Sequence, residues 1–185
     1  MLRIIQAPNE ILSQTASPID LKKIDSDLLS FIKEMEKSLD EAEDPKGVGL
    51  AAPQVNKSIS LFVTKPSSKS KLQVFINPII ISETALPHPK IKGKKKSKDK
   101  KLEGCLSLKD IWGEVKRNDI IEMEYFDEKG VKHTRKFKGF MSTIMQHEID
   151  HLNGILFPKR VLEQKGKLYK STIEDGEMVF NPLKI

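Results

Sequence analysis

A chain of 185 residues, 38% of them hydrophobic, has the size of one domain and can build a core without disulfides, and its one cysteine, Cys105, excludes an internal one. The net charge of +6 is local: residues 90–101 hold eight lysines and one acid, leaving −1 on everything else, which removes the case for a fold-wide nucleic-acid surface. No stretch is apolar enough to cross a bilayer, and Met1-Leu2-Arg3-Ile4-Ile5-Gln6 lacks the long apolar run of a signal peptide, so we expect a cytoplasmic protein with no membrane or DNA partner.

Leu28, Ile32, Met35 and Leu39 recur at helical spacing, with Asp25 or Ser26 available as the cap and Pro45 closing the run. A small-residue stretch follows, Gly47-Val48-Gly49-Leu50-Ala51-Ala52-Pro53-Gln54, and then two β-rich runs over 59–63 and 74–81. Pro78 inside the second run points to an edge or a bulge. Residues 86–101 are almost without apolar side chains and read as a solvated Lys-rich loop inserted into the domain that spans 1–185. The runs over 120–126 and 131–137, parted by Asp127-Glu128-Lys129-Gly130, read as a hairpin. A second helix is expected over 140–152, stopped by Asn153-Gly154. The segment 177–180 in the tail suits a short strand better than a helix.

His147-Glu148-Ile149-Asp150-His151 falls within that second helix. Residues four apart share a helical face, so both imidazoles can reach one metal ion while Glu148 approaches water bound to it. A metal lowers the pKa of its bound water to roughly 7, and a neighbouring carboxylate takes the proton as that water attacks a carbonyl. The bland alternative is a merely polar face. Against it, Ile144, Met145, Ile149 and Leu152 make the helix apolar on several sides, and histidines on a buried helix need partners. A catalytic site of this kind takes three protein ligands and keeps one position open. Cys105, within Leu102-Glu103-Gly104-Cys105-Leu106-Ser107, is the candidate third donor, its alternative being an inert buried thiol. The expected fold class is α+β: mostly antiparallel β-sheets packed around a central metal-binding helix, with an N-terminal amphipathic helix.

Three segments, in order, resemble the three motifs of the peptide deformylase family: Gly47-Val48-Gly49-Leu50-Ala51-Ala52-Pro53-Gln54, Glu103-Gly104-Cys105-Leu106-Ser107, and Gln146-His147-Glu148-Ile149-Asp150-His151. The resemblance runs from the N-terminal helix to about residue 157. It implies a hydrolase that removes the formyl group from the formyl-methionine of nascent polypeptides and releases formate. Cys105, His147 and His151 would hold one divalent metal, with Fe2+ implied in the cell and Zn2+, Ni2+ or Co2+ also compatible with the ligand set. Glu148 would be the general base, and Gln54 with the backbone amide of Leu106 would stabilise the oxyanion. Gly49 would engage the formyl group through its backbone. Val48, Phe140 and Ile144 would line the methionine pocket, with Glu103 at its rim or paired with Arg117. Gln146 and Asp150, flanking the ligands, are candidates for orienting the imidazoles.

The chain departs from the family pattern in three places. Residues 90–101 lengthen the connection before Glu103, either as a solvated loop or as a contact with ribosomal RNA. The ending lacks a helical pattern, so a basic C-terminal ribosome-docking helix does not carry over. Trp112 stands where the resemblance leads one to expect an arginine that touches the peptide. Two rival functions follow from the residues: a metalloprotease acting on internal bonds, and a structural-metal or RNA-binding module without catalysis. A structural site would need a fourth protein ligand and no base.

Overall fold

Helix α1 (Ser26–Asp40) starts at Asp25, whose carboxylate accepts the Leu28 N–H at 2.9 Å. Its buried stripe is Leu28, Ile32, Met35 and Leu39, which shares one core cluster with Leu50, Leu61, Val63 and Ile76. Full burial of each such side chain contributes about 1.5–3 kcal/mol. The computed structural model describes residues 1–43, 45–84 and 102–184. The lysine-rich loop expected at about 86–101 therefore lies outside the described residues.

The first sheet has the order β1-β2-β3-β6-β7, all pairs antiparallel, from β1 (Gly49–Ala51), β2 (Leu61–Thr64), β3 (Gln73–Thr84), β6 (Ile120–Phe126) and β7 (Lys132–Lys138). Pro78 is tolerated inside β3 for a visible reason. The β2 ladder ends at Leu61 opposite Ile76, and the register with β6 shifts between Ile76 and Ile79. Asn77, at φ 49°, turns its side chain to the Ile19 backbone, donating to its carbonyl and accepting from its N–H at 2.8 Å each. The β6–β7 turn matches the sequence expectation: the Asp127 carboxylate accepts the Lys129 and Val131 N–H groups, and Gly130 takes φ 75°.

The second sheet, β4-β5-β8-β9, contains β4 (Glu103–Cys105), β5 (Leu108–Gly113), β8 (Leu168–Glu174) and β9 (Glu177–Pro182). The tail holds the strand expected at 177–180, paired with β8 in a hairpin that its pattern did not announce. Helix α2 (Phe140–Leu152) joins the two sheets. Met145 and Leu152 pack with Phe62, Phe75 and Met123 of the first sheet, while its histidines turn to Cys105 at the end of β4. Gly154 at φ 67° closes α2, and the Leu152 carbonyl accepts the Ala16 N–H at 2.8 Å. A short helix, α3 (Phe157–Glu163), buries Phe157 and Val161 against β4 and β5. The fold is α+β, antiparallel sheets flanking one helix. Among the described residues no helix is long and apolar enough to cross a membrane.

Candidate metal centre

Cys105 and His151 come from elements 46 positions apart, yet Sγ lies 3.2 Å from the His151 Nε2, which is itself 3.2 Å from the His147 Nε2. The three donor atoms all fall within 4.8 Å of one another. Tetrahedral coordination with the usual metal–nitrogen and metal–sulfur lengths puts donor atoms about 3.4–3.6 Å apart. The two edges that meet at His151 Nε2 are slightly shorter than that, and the donors can take one cation with small side-chain adjustments. The donor set of one thiol and two imidazoles suits zinc or a late first-row transition metal.

His147 is held from behind, whereas His151 Nδ1 is buried with no hydrogen-bond partner among the described residues. His147 Nδ1 lies 2.6 Å from Glu103 Oε1, which turns Nε2 towards the other donors. Glu103 in turn receives Arg117 in a two-point contact, Nε to Oε2 at 3.0 Å and Nη2 to Oε1 at 2.7 Å, so the expected ion pair is present. Arg117 Nη1 donates to Asp150 at 2.6 Å, and Arg160 grips the same carboxylate with Nη2 at 2.7 Å. Burial opposes a charge on Glu103, but the hydrogen bonds and charges of His147 and Arg117 outweigh it and hold the carboxyl at about 2. Burial likewise opposes a proton on His147, yet Cys105 and Glu103 on either side raise its pKa well above the usual imidazole range. A cation in the centre would take the place of that proton on Nε2. His151 is pushed well below the usual range by burial and the neighbouring His147, which leaves its ring neutral and able to ligate.

Glu148 is 3% exposed, and its Oε2 has no hydrogen-bond partner among the described residues. Burial pushes its carboxyl up to about 7, with the His147 charge opposing the shift. A Cβ on Gly49 would collide with this carboxylate, so the absence of a side chain there is what lets β1 approach it. Gln54, in a 3-10 turn over Ala52–Val55, accepts the Ala51 N–H at 2.8 Å and donates to Ser107 Oγ at 3.2 Å and Cys105 Sγ at 3.6 Å. Its amide is thereby fixed beside the thiol. Leu106 follows Cys105, and its carbonyl is tied to Gln6 Nε2 at 2.8 Å.

Phe140, Ile144, Glu148 and His151 recur at helical spacing along one side of α2. Ile144 is buried, Val48 is half-buried just before β1, and Phe140 is 60% exposed at the start of the helix. Gln146 and Asp150 do not orient the imidazoles directly. Gln146 binds the Asn118 backbone and Ser142, and Asp150 binds the two arginines. Sequence reasoning gave no role to Ser107, Gln6 or Arg160. Ser107 was visible in the second motif, whereas nothing local marks the other two.

A cysteine and two helical histidines brought together, with a buried carboxylate next to one of them in sequence, suit a metal-dependent hydrolase of amide bonds. The signature of the polypeptide deformylase family matches residues 1–167. A peptide deformylase from Chlorobium luteolum is 35% identical over 167 residues, covering 90% of this chain and 82% of the relative. The crystal structure of a Synechococcus elongatus peptide deformylase in complex with actinonin is similar at TM-score 0.72 and 31% identity, over 86% of this chain and 78% of that one. A Met-Ala-Ser-bound class I type b enzyme from Acinetobacter baumannii is similar at TM-score 0.70 and 29% identity, over 86% and 98%. The chain belongs to the peptide deformylase family, metal-dependent hydrolases that remove the N-terminal formyl group from newly synthesised polypeptides.

The ligand support has a measurable consequence. Replacing Arg117 by Met removes the charge that holds Glu103 and should weaken metal retention roughly 10- to 100-fold, read by competition with a chelator. Retention equal to the wild type would show that Glu103 holds His147 without Arg117.

Proposed function

We propose that Cys105, His147 and His151 hold one Fe2+ ion, and that Glu148 is the general base and acid of deformylation. When bound, the ion supplies Lewis acidity that makes water a competent nucleophile near neutral pH. Glu148 takes a proton from the water that attacks the formyl carbon. It then delivers that proton to the departing amine, so that cleavage of the C–N bond yields formate and the free methionine terminus. Gln54 Nε2 and the Leu106 N–H donate to the carbonyl oxygen as it gains charge, and donors of this kind are typically worth ~3 kcal/mol each. The Gly49 backbone engages the formyl group. Val48, Ile144 and Phe140 take the methionine side chain, while Glu103 acts through His147 and not by touching substrate.

The observation that carries this reading is the Glu148 carboxylate, buried, partly unpartnered and adjacent in sequence to one donor of a three-donor group. A closed structural site would take four protein ligands and no base. The sheet topology supports an extended substrate: among the described residues β1 and β4 are each the end strand of their sheet, an edge on which a peptide can pair. We read residues 1–185 as one catalytic domain working in the cytoplasm, where formylated chains emerge. The eight lysines of residues 90–101 support a contact with ribosomal RNA.

Iron-loaded protein, prepared without air, should release formate from formyl-Met-Ala-Ser. Glu148→Gln should keep one metal per chain and lose roughly 10²–10⁴ in kcat. Loss of metal together with activity would make Glu148 a structural residue, and cleavage of unformylated peptides would favour the protease reading. For the lysines, deletion of residues 90–101 should weaken co-sedimentation with ribosomes and flatten its salt dependence. Unchanged co-sedimentation would remove that contact.

A further inference from the structure

Leu106 and Ser107 form a two-residue connection between β4 and β5, with Cys105 and Leu108 paired across it. Leucine is not a turn former, and neither residue takes the positive φ of the turns whose twist suits so short a hairpin. The connection is held from outside instead. Residues 5–7 run across it: the Ile5 N–H donates to the Gln54 carbonyl at 2.9 Å, Gln6 Nε2 to the Leu106 carbonyl at 2.8 Å, and the Ala7 N–H to the Ser107 carbonyl at 2.9 Å. Gln6 Oε1 also accepts the Lys109 N–H at 3.4 Å, just beyond the turn. Three consecutive residues thus grip Gln54, Leu106 and Ser107 in succession. Gln54 Nε2 reaches Ser107 Oγ at 3.2 Å and closes the ring of contacts.

Under the deformylase reading, on which this inference rests, Gln54 Nε2 and the Leu106 N–H address one oxygen as it gains charge. Such donors act by being in place beforehand, so slack in either costs rate and not ground-state binding. Two of the three contacts made by residues 5–7 come from backbone N–H groups, which any residue but proline supplies. The third depends on the side chain at position 6 alone, and the carbonyl it holds belongs to Leu106. We propose that Gln6 is a positioning residue for deformylation: its side-chain amide fixes the Leu106 backbone relative to Gln54, so that the two oxyanion donors converge. Gln6 is exposed, so replacing it leaves the core untouched. Water can then hydrogen-bond the Leu106 carbonyl but cannot tie it to residues 5–7, and the loss of rate is graded.

The test compares wild type with Gln6→Ala, Gln6→Glu and Gln6→Lys, all metal-loaded, in kcat and KM for formyl-Met-Ala-Ser, affinity for Met-Ala-Ser, and metal content. Gln6→Ala should lose roughly three- to tenfold in kcat, a fraction of what removing an oxyanion donor outright costs. KM and the affinity for Met-Ala-Ser should stay within about twofold, because the contact matters only as charge develops. Gln6→Glu, which keeps the acceptor for Lys109 but loses the donor to Leu106, should fall at least as far. Gln6→Lys, which keeps a donor, should recover most of the rate. Wild-type kcat in Gln6→Ala or Gln6→Glu overturns the proposal, as does a loss that lies in KM or accompanies loss of metal. Turnover of no formyl peptide by the wild type would contradict the deformylase reading instead. Hydrogen exchange at the Leu106 and Ser107 amides of zinc-loaded protein then decides the positioning role by itself: faster exchange in Gln6→Ala supports it, and unchanged exchange removes it.

Discussion

Arg117 carries a permanent charge with its side chain only 8% exposed, and much of the site depends on how that charge is met. One carboxylate comes from β4 of the second sheet, Glu103, and the other from α2, Asp150. The guanidinium therefore ties the strand that ends in the thiol to the helix that carries the imidazoles. Buried ion pairs seldom add net stability, because desolvation offsets most of the attraction, but breaking one leaves an uncompensated charge and is costly. The gain here is positional. With Glu103 held at two points, His147 has one ring orientation that satisfies Nδ1, and that orientation aims Nε2 at the other donors. Arg160, reaching Asp150 from α3, braces the chain from its far end.

The two sheets contribute different things to α2. The first supplies the main core and the small-residue stretch from Gly47 to Gln54, whose close approach depends on Gly49 having no side chain where Glu148 lies. The second supplies the thiol and, through Glu103, the support of His147. Between them Glu148 is buried with its Oε2 unpartnered among the described residues, an arrangement that costs stability and that a purely structural helix would not keep.

Much of this was legible in the sequence because its causes are local. The stripe of α1, the polar signature of α2 and the β6–β7 turn each depend on spacing or turn chemistry within about a dozen residues. The strands β4 and β5 and the helix α3 are short, and their patterns mix polar and apolar residues; partners elsewhere in the fold decide them. The donor triad was inferred from chemistry and family resemblance, since no periodicity joins Cys105 to His151. Gln6 supports a carbonyl 100 positions away, and Arg160 braces a carboxylate on another helix, so neither could be read from its own surroundings. The expectation that Gln146 and Asp150 would touch the imidazoles followed from adjacency in sequence. Adjacency on a helix turns neighbours about 100° apart, and those two residues face other partners.

The central claim is that one thiolate and two imidazoles form a single metal site with room left for water. X-ray absorption on protein loaded with one equivalent of Zn2+ measures that first shell directly. The account predicts one sulfur at about 2.3 Å and two histidine nitrogens at about 2.0–2.1 Å, with a light oxygen ligand completing the set. A shell without sulfur, or one filled by four protein donors, would contradict it.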